Sequence, residues 1–239
     1  MSWFNYQSPE VIERCQGVAG ELQLQRRGNE YEIIYNGVFL MATYNGASEK
    51  AAVREALELV ITGENKTAKV LMGGLGVGYS LSEALKYKQV AYVSVAEIEP
   101  VVVRWNREIL TGINDDALSD PRVGLFSGDF KDLLKKEAQA AARAPGRNQY
   151  QVVMVDTDNG SAWLSLPENA YLYKQEGLRL IDQCLAPGGV ACFWCANEDE
   201  NFAENLRERF KKVVFRAVSE QTGLKGAYYL ACKQSANSA

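Results

Sequence analysis

The segment that decides the fold reads Ala68-Lys69-Val70-Leu71-Met72-Gly73-Gly74-Leu75-Gly76-Val77-Gly78. Its apolar first half is typical of a buried strand, and that strand ends in glycines. Tyr79–Tyr87 then resumes with helical spacing, with Leu81 and Leu85 on one face. A strand, a glycine turn and a helix form the unit that brings a backbone close to a ligand at a helix N-terminus. Because glycine also permits tight packing between a strand and a helix, the turn alone favours neither role.

Strand and helix patterns alternate from this segment onward. The predicted strands lie at 68–73, 91–97, 122–127, 150–156 and 188–195. The predicted helices lie at 78–87, 101–111, 129–142, 169–184 and 199–210. Ala-Pro-Gly-Gly at 186–189 is a turn signal ahead of the fifth strand. This alternation predicts a parallel sheet that is covered by helices on both faces.

The end of the chain breaks the alternation. Lys212–Ser219 and Ala227–Lys233 both read as strands, and only a short segment with Gln-Thr-Gly-Leu-Lys-Gly separates them. A parallel crossover needs about a dozen residues or more, so these two strands must be antiparallel. We therefore predict an α/β, Rossmann-like fold with a mostly parallel seven-stranded sheet and an antiparallel last strand. S-adenosylmethionine-dependent transferases share this arrangement, and pure dinucleotide-binding sheets lack it.

A smaller antiparallel β-domain is predicted ahead of this sheet. Gly20–Arg27 and Tyr31–Tyr35 alternate, Val38–Tyr44 is a third apolar run, and Asn36-Gly37 is a strong hairpin signal. A helix from Ser48 to about Ile61 follows. The predicted domains are accordingly 1–47 and 48–239. Within the first of them, residues 1–19 show little pattern, and aromatic residues indicate an arm that packs against the protein: Trp3, Phe4 and Tyr6.

Composition excludes several classes of function. The chain of 239 residues has a net charge of −4 and no stripe of Lys and Arg, which argues against nucleic-acid binding. It contains no histidine, which removes histidine-based triads and most zinc sites, and we predict no metal. No stretch approaches the roughly 20 apolar residues of a membrane helix, and no signal peptide is recognisable. We expect a cytoplasmic protein that does not bind membranes.

The cysteines fit reduced thiols rather than a redox or metal site. Their number is odd: Cys15, Cys184, Cys192, Cys195 and Cys232. Cys192 and Cys195 form a CxxC, but they lie within an apolar run that reads as a strand. A spacing of three places them on opposite faces of that strand, where the two sulfurs cannot converge.

Three acids follow three of the predicted parallel strands. Glu97, Asp129 and Asp156 should face one crevice together with the glycine turn, since ligands bind beyond the carboxyl ends of such strands. An acid about 20 residues after the glycines accepts ribose hydroxyls in nucleotide sites, and Glu97 has this position, with Glu99 beside it. Asp129 would reach an adenine amino group, and Asp156 would serve the reacting end of the ligand.

Each acid also has an ordinary structural alternative. Asp129 could equally be the N-cap of its helix, and Glu97 could be a solvated strand end. Asp156 follows the apolar run 152–155, where an unpaired carboxylate is costly to bury. It is therefore either functional or heavily hydrogen-bonded, and a functional role is favoured.

Two other nucleotide-binding motifs do not match this sequence. The dinucleotide fingerprint needs glycine at its first, third and sixth positions, and counting from Gly74 the sixth position is Tyr79. A P-loop needs Gly-Lys followed by Ser or Thr, which this chain lacks. The ligand is therefore expected to be a nucleoside without phosphates, and a dehydrogenase is disfavoured.

Together these motifs resemble the spermidine/spermine synthase family within the S-adenosylmethionine transferase superfamily. The resemblance covers roughly residues 20–233 and includes the small N-terminal β-domain. Its carriers are Val70–Gly78, Val95–Pro100, Asp120–Val123, Gly128-Asp129 and Tyr150–Asp156. The resemblance implies Glu97 on ribose, Asp129 at adenine and Asp156 beside the sulfonium. The donor would be S-adenosylmethionine or its decarboxylated form, and its predicted contacts are Gly73, Gly74, Gly76, Gly78, Glu97, Ile98, Asp129 and Phe130.

The chain departs from the family pattern on the substrate side. Aminopropyltransferases of this family place an aspartate within the glycine turn, where this chain has Leu75 and Val77. They carry two aspartates three apart after the fourth strand, whereas here the sequence is Asp156-Thr157-Asp158-Asn159-Gly160. Their Tyr-His-Glu has no counterpart in a chain without histidine, and Ser48-Glu49-Lys50 lies nearby. Methyl transfer and a nucleoside-binding protein without catalysis are therefore alternatives to aminopropyl transfer.

The predicted chemistry is an in-line displacement at a carbon that is bonded to a sulfonium. A small amine attacks, and a neutral thioether leaves, so positioning supplies much of the rate. Asp156, helped by Asp158, is the predicted base for the amine. The predicted substrate residues are Glu49, Asn159, Trp163 and Tyr171. A homodimer is a candidate assembly.

Overall fold

The N-terminal part of the chain forms an antiparallel sheet. The computed structural model describes residues 8–18, 20–63, 66–144 and 146–235, so the predicted aromatic arm at residues 3–6 lies outside the described residues. The sheet has four strands in the order β1-β2-β3-β4. They are β1 (Glu10–Gln16), β2 (Glu21–Arg27), β3 (Glu30–Tyr35) and β4 (Val38–Ala42). Helix α1 (Ala47–Val60) follows.

The predicted hairpin is confirmed, and one strand is additional. Asn36 and Gly37 have φ of 49° and 76°, as a two-residue turn between twisted strands requires. Strand β1 was not expected from the sequence. It lies at the sheet edge with Val11 50% exposed, and a bulge between Val11 and Glu13 breaks its alternation. An exposed, bulged edge strand carries little periodic signal.

The central sheet has seven strands in the order β10-β11-β9-β8-β5-β6-β7. Its strands are β5 (Ala68–Gly73), β6 (Val90–Glu97), β7 (Val123–Ser127), β8 (Tyr150–Val155), β9 (Leu185–Cys195), β10 (Lys212–Ser219) and β11 (Lys225–Cys232). Only β11 is antiparallel to its neighbours, β9 and β10. The predicted fold class, a mostly parallel sheet with an antiparallel last strand after a small antiparallel sheet, is confirmed.

Strand β5 lies at the point where the connections change direction. It pairs with β6 on one side and with β8 on the other, and Gly73 is in register with both Ala96 and Val155. The carboxyl ends of three strands therefore meet beside the glycine turn, where open sheets of this kind bind ligands.

Helices cover the central sheet, and two elements differ from the prediction by more than a small shift of their ends. Besides α1 they are α2 (Tyr79–Leu85), α3 (Pro100–Glu108), α4 (Phe130–Arg143), α5 (Gln175–Cys184) and α6 (Glu200–Arg207). The helix expected over 169–184 is divided into a 3₁₀ segment, Pro167–Tyr173, and α5, because Lys174 is extended with ψ of 164°. Strand β9 already begins at Leu185, and the predicted turn at 186–189 is a bulge within it.

Two apolar layers enclose the sheet. One contains Val70 and Met72 together with Leu22 and Ile33 of the N-terminal sheet. The other contains Leu71, Val153 and Phe193. One apolar core thus continues between the two sheets, while the division at residue 47 stays a prediction. Cys192 lies in the first layer and Cys195 in the second, which confirms that they occupy opposite faces.

The helices of the described ranges are too short or too polar for a membrane span.

Candidate active site

The glycine turn after β5 is shaped by close backbone contacts. Gly74 has φ of 91° and lies against the backbone carbonyl of Asp156, so a side chain at this position would collide with it. Gly76 has φ of 54°, and Met41 of the N-terminal sheet occupies the space beyond its Cα. Gly73 lies against the ring of Phe130. All three positions lie in close contact with neighbouring atoms, and Gly74 and Gly76 need glycine for their positive φ as well.

A cavity opens in front of the turn, between the two sheets. The N-terminal sheet supplies one wall with Leu22, Ile33, Tyr35, Leu40 and Met41. Ten of the predicted site residues also line it: Glu49, Gly74, Gly76, Glu97, Ile98, Asp129, Phe130, Asp156, Asp158 and Asn159. Four predicted residues are not among its lining: Gly73, Gly78, Trp163 and Tyr171.

Glu97, at the end of β6, is tied to the glycine turn. Its Oε2 accepts from the backbone N–H of Leu75 at 2.9 Å, and its Oε1 accepts from that of Glu99 at 2.8 Å. Burial raises the pKa of Glu97, although these backbone hydrogen bonds oppose the shift. A carboxylate has about four lone-pair sites, so Glu97 keeps acceptor capacity for a hydroxyl in the cavity.

Asp129 both caps a helix and faces the cavity. Its Oδ1 accepts from the backbone N–H of Lys131 at 2.8 Å, as expected of the N-cap of α4. The residue also lines the cavity between Gly128 and Phe130. The two readings that the sequence left open are therefore compatible in one side chain.

Asp156 follows β8 and lies deep in the cavity. Its backbone N–H donates to Gly73 at 2.9 Å, and its Oδ2 accepts from the Ser80 hydroxyl at 3.1 Å. Burial, followed by the charge of Glu49, raises the pKa of Asp156 to about 7. A carboxyl group with this pKa changes its protonation near neutral pH, which suits a general base.

Asp158 is saturated with hydrogen bonds, unlike Asp156. Its side chain is buried, at 4% exposure. The donors to its two oxygens come from the segment that covers this end of the cavity: Thr157, Ser165, Asn169 and Tyr173. Because these donors come from several positions along the covering segment, Asp158 organises residues 157–173.

Glu49 approaches the same end of the cavity from α1. The Trp194 indole N–H donates to the Ser48 hydroxyl at 2.9 Å, and that hydroxyl donates to Glu49 Oε2 at 2.6 Å. Burial raises the pKa of Glu49, and the charge of Glu220 adds to the increase. The charge of Glu49 in turn makes Asp156 harder to ionise, since like charges oppose each other in this partly enclosed site.

Glu220, beyond β10, closes the N-terminus of α1. Its Oε2 accepts from Gly46 and Ala47 at 2.9 and 3.0 Å, and its Oε1 accepts from Ser48 at 2.9 Å. Burial would raise the pKa of Glu220, but these hydrogen bonds hold it below the ordinary value. This carboxylate supplies the cap that Gly46 itself cannot provide.

Two predicted substrate residues lie elsewhere. Trp163 lines a second hollow, which also contains Asn159, Glu198 and Asp199. The ring of Tyr171 lies under the Lys131 ammonium at 4.6 Å, and its hydroxyl has no hydrogen-bond partner among the described residues. Asn159 is shared by both hollows.

Sequence reasoning missed Ser80, Trp194 and Glu220. Ser80 follows the glycine turn closely, so a first-turn hydroxyl could have been suspected there. Trp194 lies in the apolar run of the predicted fifth strand, where nothing in the sequence indicates a polar contact. Glu220 lies 172 residues from Ser48, and nothing local connects the two. The wall supplied by the N-terminal sheet was likewise not expected.

The cavity is strongly anionic. Its lining carboxylates are Glu49, Glu97, Glu99, Asp129, Asp156 and Asp158, and within the described ranges it is lined by no Lys or Arg. Such a cavity favours cationic ligands and disfavours free carboxylates. Among the described residues no cluster of Cys, Asp and Glu has the arrangement of a metal site.

The chain is similar to known transferases over part of its length. It is 31% identical over 124 residues to putrescine N-methyltransferase 3 of Nicotiana tabacum, covering 52% of this chain and 29% of that protein. It is 33% identical over 125 residues to polyamine aminopropyltransferase 1 of Streptomyces coelicolor, covering 51% of this chain and 21% of that protein. The chain thus spans less than a third of the length of these relatives.

The fold and the sequence also agree with one family over most of the chain. The spermidine synthase of Thermotoga maritima superposes with a TM-score of 0.70 at 17% identity, covering 93% of this chain and 72% of that one. The spermine/spermidine synthase domain matches residues 52–229. This match includes the glycine turn, the three strand-end acids and the reversed strand, and the chain belongs to the spermine/spermidine synthase domain family.

Proposed function

We propose that this protein transfers an alkyl group from a sulfonium donor of the S-adenosylmethionine type to a small amine. The observation that carries the proposal is the cavity itself. It combines the glycine turn and Glu97, suited to an adenosine, with Asp156 beside the turn and with Glu49 from α1. Both substrates, a sulfonium and an ammonium, are cations that six lining carboxylates favour.

The donor is proposed to lie along the glycine turn. Glu97 accepts the ribose hydroxyls with its remaining lone pairs, and Asp129 accepts from the adenine amino group. The remaining donor contacts are Gly73, Gly74, Gly76, Gly78, Ile98 and Phe130, of which Gly73 and Gly78 act by shaping the turn. This arrangement leaves the sulfonium near Asp156, at the end of β8.

The reaction is a displacement in which the amine nitrogen forms a bond to the donor carbon. The carbon–sulfur bond breaks, its electron pair stays on sulfur, and a neutral thioether leaves. The proton of the attacking amine passes to Asp156, whose pKa of about 7 allows it to be ionised at neutral pH. Glu49 attracts the incoming ammonium and holds it in line with the donor carbon.

Aminopropyl transfer from the decarboxylated donor is the first choice. In the described part of the chain no Lys or Arg lines the cavity, so the α-carboxylate of S-adenosylmethionine would face six carboxyl groups without a cation to offset their charge. Similarity to an aminopropyltransferase agrees with this choice.

Methyl transfer is the second candidate. Leu75 and Val77 occupy the glycine turn where an aspartate would hold the donor's amine, and several of the matching relatives are putrescine N-methyltransferases. With methyl transfer the same in-line geometry applies, and only the carbon that is attacked differs. A homodimer stays a prediction.

Thermal shift and product analysis test the proposal. The protein is heated with S-adenosylmethionine, its decarboxylated form, methylthioadenosine or NAD, since a ligand of the folded state raises the melting temperature according to its affinity. Each donor is then incubated with putrescine, and the product mass identifies the transferred group. We expect the decarboxylated donor to bind best and to yield an aminopropyl product. Binding without any product would favour a nucleoside-binding protein, and a shift by NAD alone would refute the proposal.

A further inference from the structure

Two buried asparagines lie behind the glycine turn. Asn106, on α3, and Asn114, in the segment after α3, are each 1% exposed. Neither lines the cavity, whereas Gly74 and Gly76 of the turn do. The turn is therefore enclosed between the cavity on one side and two amide side chains on the other.

The two amides hold consecutive carbonyls of the turn. Asn106 Nδ2 donates to the carbonyl of Gly76 at 2.7 Å, and Asn114 Nδ2 donates to that of Val77 at 3.3 Å. The amides are also coupled, because Asn114 Nδ2 donates to Asn106 Oδ1 at 2.7 Å. A second bond from Asn106 Nδ2 to the carbonyl of Val102, at 2.9 Å, anchors the pair to its helix.

The glycines of the turn cannot be fixed by their own side chains. Gly76 and Gly78 have φ of 54° and 88°, and glycine visits such conformations freely. A Cβ at Gly78 would lie 2.8 Å from Asn106 Oδ1 and 2.9 Å from Asn114, so the amides fill the space that this glycine leaves. Restraint on the turn must come from outside it, and these hydrogen bonds supply it.

The arrangement also leaves one polar atom without a partner. Asn114 Oδ1 is buried and has no hydrogen-bond partner among the described residues. Burying an unpaired acceptor costs stability, and an apolar side chain in this layer would avoid the cost. An asparagine here is explained by what its Nδ2 donates to rather than by packing.

We propose that Asn106 and Asn114 are positioning residues for the donor. Their hydrogen bonds hold the backbone of the glycine turn in the position that binding of the nucleoside requires. The inference rests on the proposed function, since it assigns the turn to the donor. Loss of the Asn106 amide frees the Gly76 carbonyl and lets Gly74 and Gly76 shift along the cavity wall. A displacement of about 1 Å at a binding wall is enough to lower affinity or rate strongly.

The test measures binding of methylthioadenosine by calorimetry to wild type, Asn106→Ala and Asn114→Ala. We expect Asn106→Ala to weaken binding about tenfold, with a smaller loss for Asn114→Ala, whose bond to the turn is longer. The matched control is Val103→Ala, because Val103 is a buried residue of the same helix that does not line the cavity. The control should lower the melting temperature and change affinity less than twofold. In turnover, the donor KM should rise in the Asn106 variant while the acceptor KM stays constant.

The outcomes separate this inference from the proposed function. Wild-type protein that binds neither methylthioadenosine nor either donor refutes both. The positioning role alone is refuted if wild type binds methylthioadenosine and Asn106→Ala binds it equally well despite a lower melting temperature. Where Asn106→Ala does not fold, Asn114→Ala decides, and unchanged affinity in that variant overturns the inference.

Discussion

Replacing Asp156 by asparagine should make the protein inactive and, at alkaline pH, more stable. Asp156 has a pKa of about 7 because burial and the charge of Glu49 oppose its ionisation, whereas an ordinary aspartate has a pKa of 3.8. Each pH unit between these values corresponds to about 1.4 kcal/mol, so the ionised group costs the folded state about 4 kcal/mol. This is a large part of the 5–15 kcal/mol that is typical of folded domains.

The direction in which stability changes with pH follows from the raised pKa of Asp156. A carboxyl group whose pKa is raised on folding contributes fully to stability below its unfolded pKa, and that contribution is lost as pH rises through its folded pKa. Wild type and Asp156→Asn should therefore differ least near pH 4, and the difference in favour of the variant should grow up to about pH 7.

Urea denaturation of both proteins between pH 4 and pH 8.5 measures the difference, and a turnover assay accompanies it. We expect turnover to fall by a factor of about 10² to 10⁴, as for loss of a general base. Asp132→Asn is the control, because Asp132 is an exposed aspartate in the first turn of α4 and should change stability by less than about 1 kcal/mol. Equal stability of wild type and Asp156→Asn at pH 8, or retained turnover, would refute the reasoning.

Further expectations concern the remaining carboxylates. The rate of transfer should rise with pH through about 7, since only ionised Asp156 accepts the proton, and a flat profile of kcat/KM against pH contradicts this. Glu97→Gln should weaken methylthioadenosine binding about tenfold in calorimetry, because the amide nitrogen of glutamine cannot accept a hydrogen bond from the Leu75 or Glu99 N–H. Unchanged affinity would show that Glu97 is not part of the donor site. Glu220→Ala should raise the acceptor KM severalfold and leave donor affinity unchanged, because it releases the first turn of α1, which carries Glu49. An equal loss of donor and acceptor affinity would indicate general unfolding instead. Asp158→Asn should lower the free energy of unfolding by about 2 kcal/mol in urea, and a neutral effect would show that its hydrogen bonds are replaceable.

Much of the fold was predictable because its signals are local. The apolar run before Gly73, the glycines after it and the helical spacing from Tyr79 are all read within about a dozen residues. The short link after Ser219 decides that the last two strands are antiparallel. Strand β1 and the split of the helix expected over 169–184 were not predictable, since the first is an exposed, bulged edge and the second depends on Asn169 and Tyr173 binding Asp158.

The positions of the acids in the candidate site were predictable, whereas the role of each acid was not. Strand-end positions alone place Glu97, Asp129 and Asp156 at one edge of the sheet. They do not distinguish Asp156, which has one side-chain hydrogen-bond donor, from Asp158, which is saturated by neighbours in a covering segment. That difference depends on which donors the folded chain brings within 3 Å.

The sequence by itself determined the layered α/β architecture, the glycine turn and the row of strand-end acids. The periodicity of apolar residues and the lengths of the connecting segments decide where strands and helices lie, and hence where the strands have their carboxyl ends. Only the tertiary structure decided the wall from the N-terminal sheet, the Glu220 cap on α1, the Trp194–Ser48–Glu49 chain and the asparagine pair behind the turn. Most of these contacts join residues distant in sequence. The protonation and hydrogen bonding of the residues depend on burial, which exists only once the chain has folded.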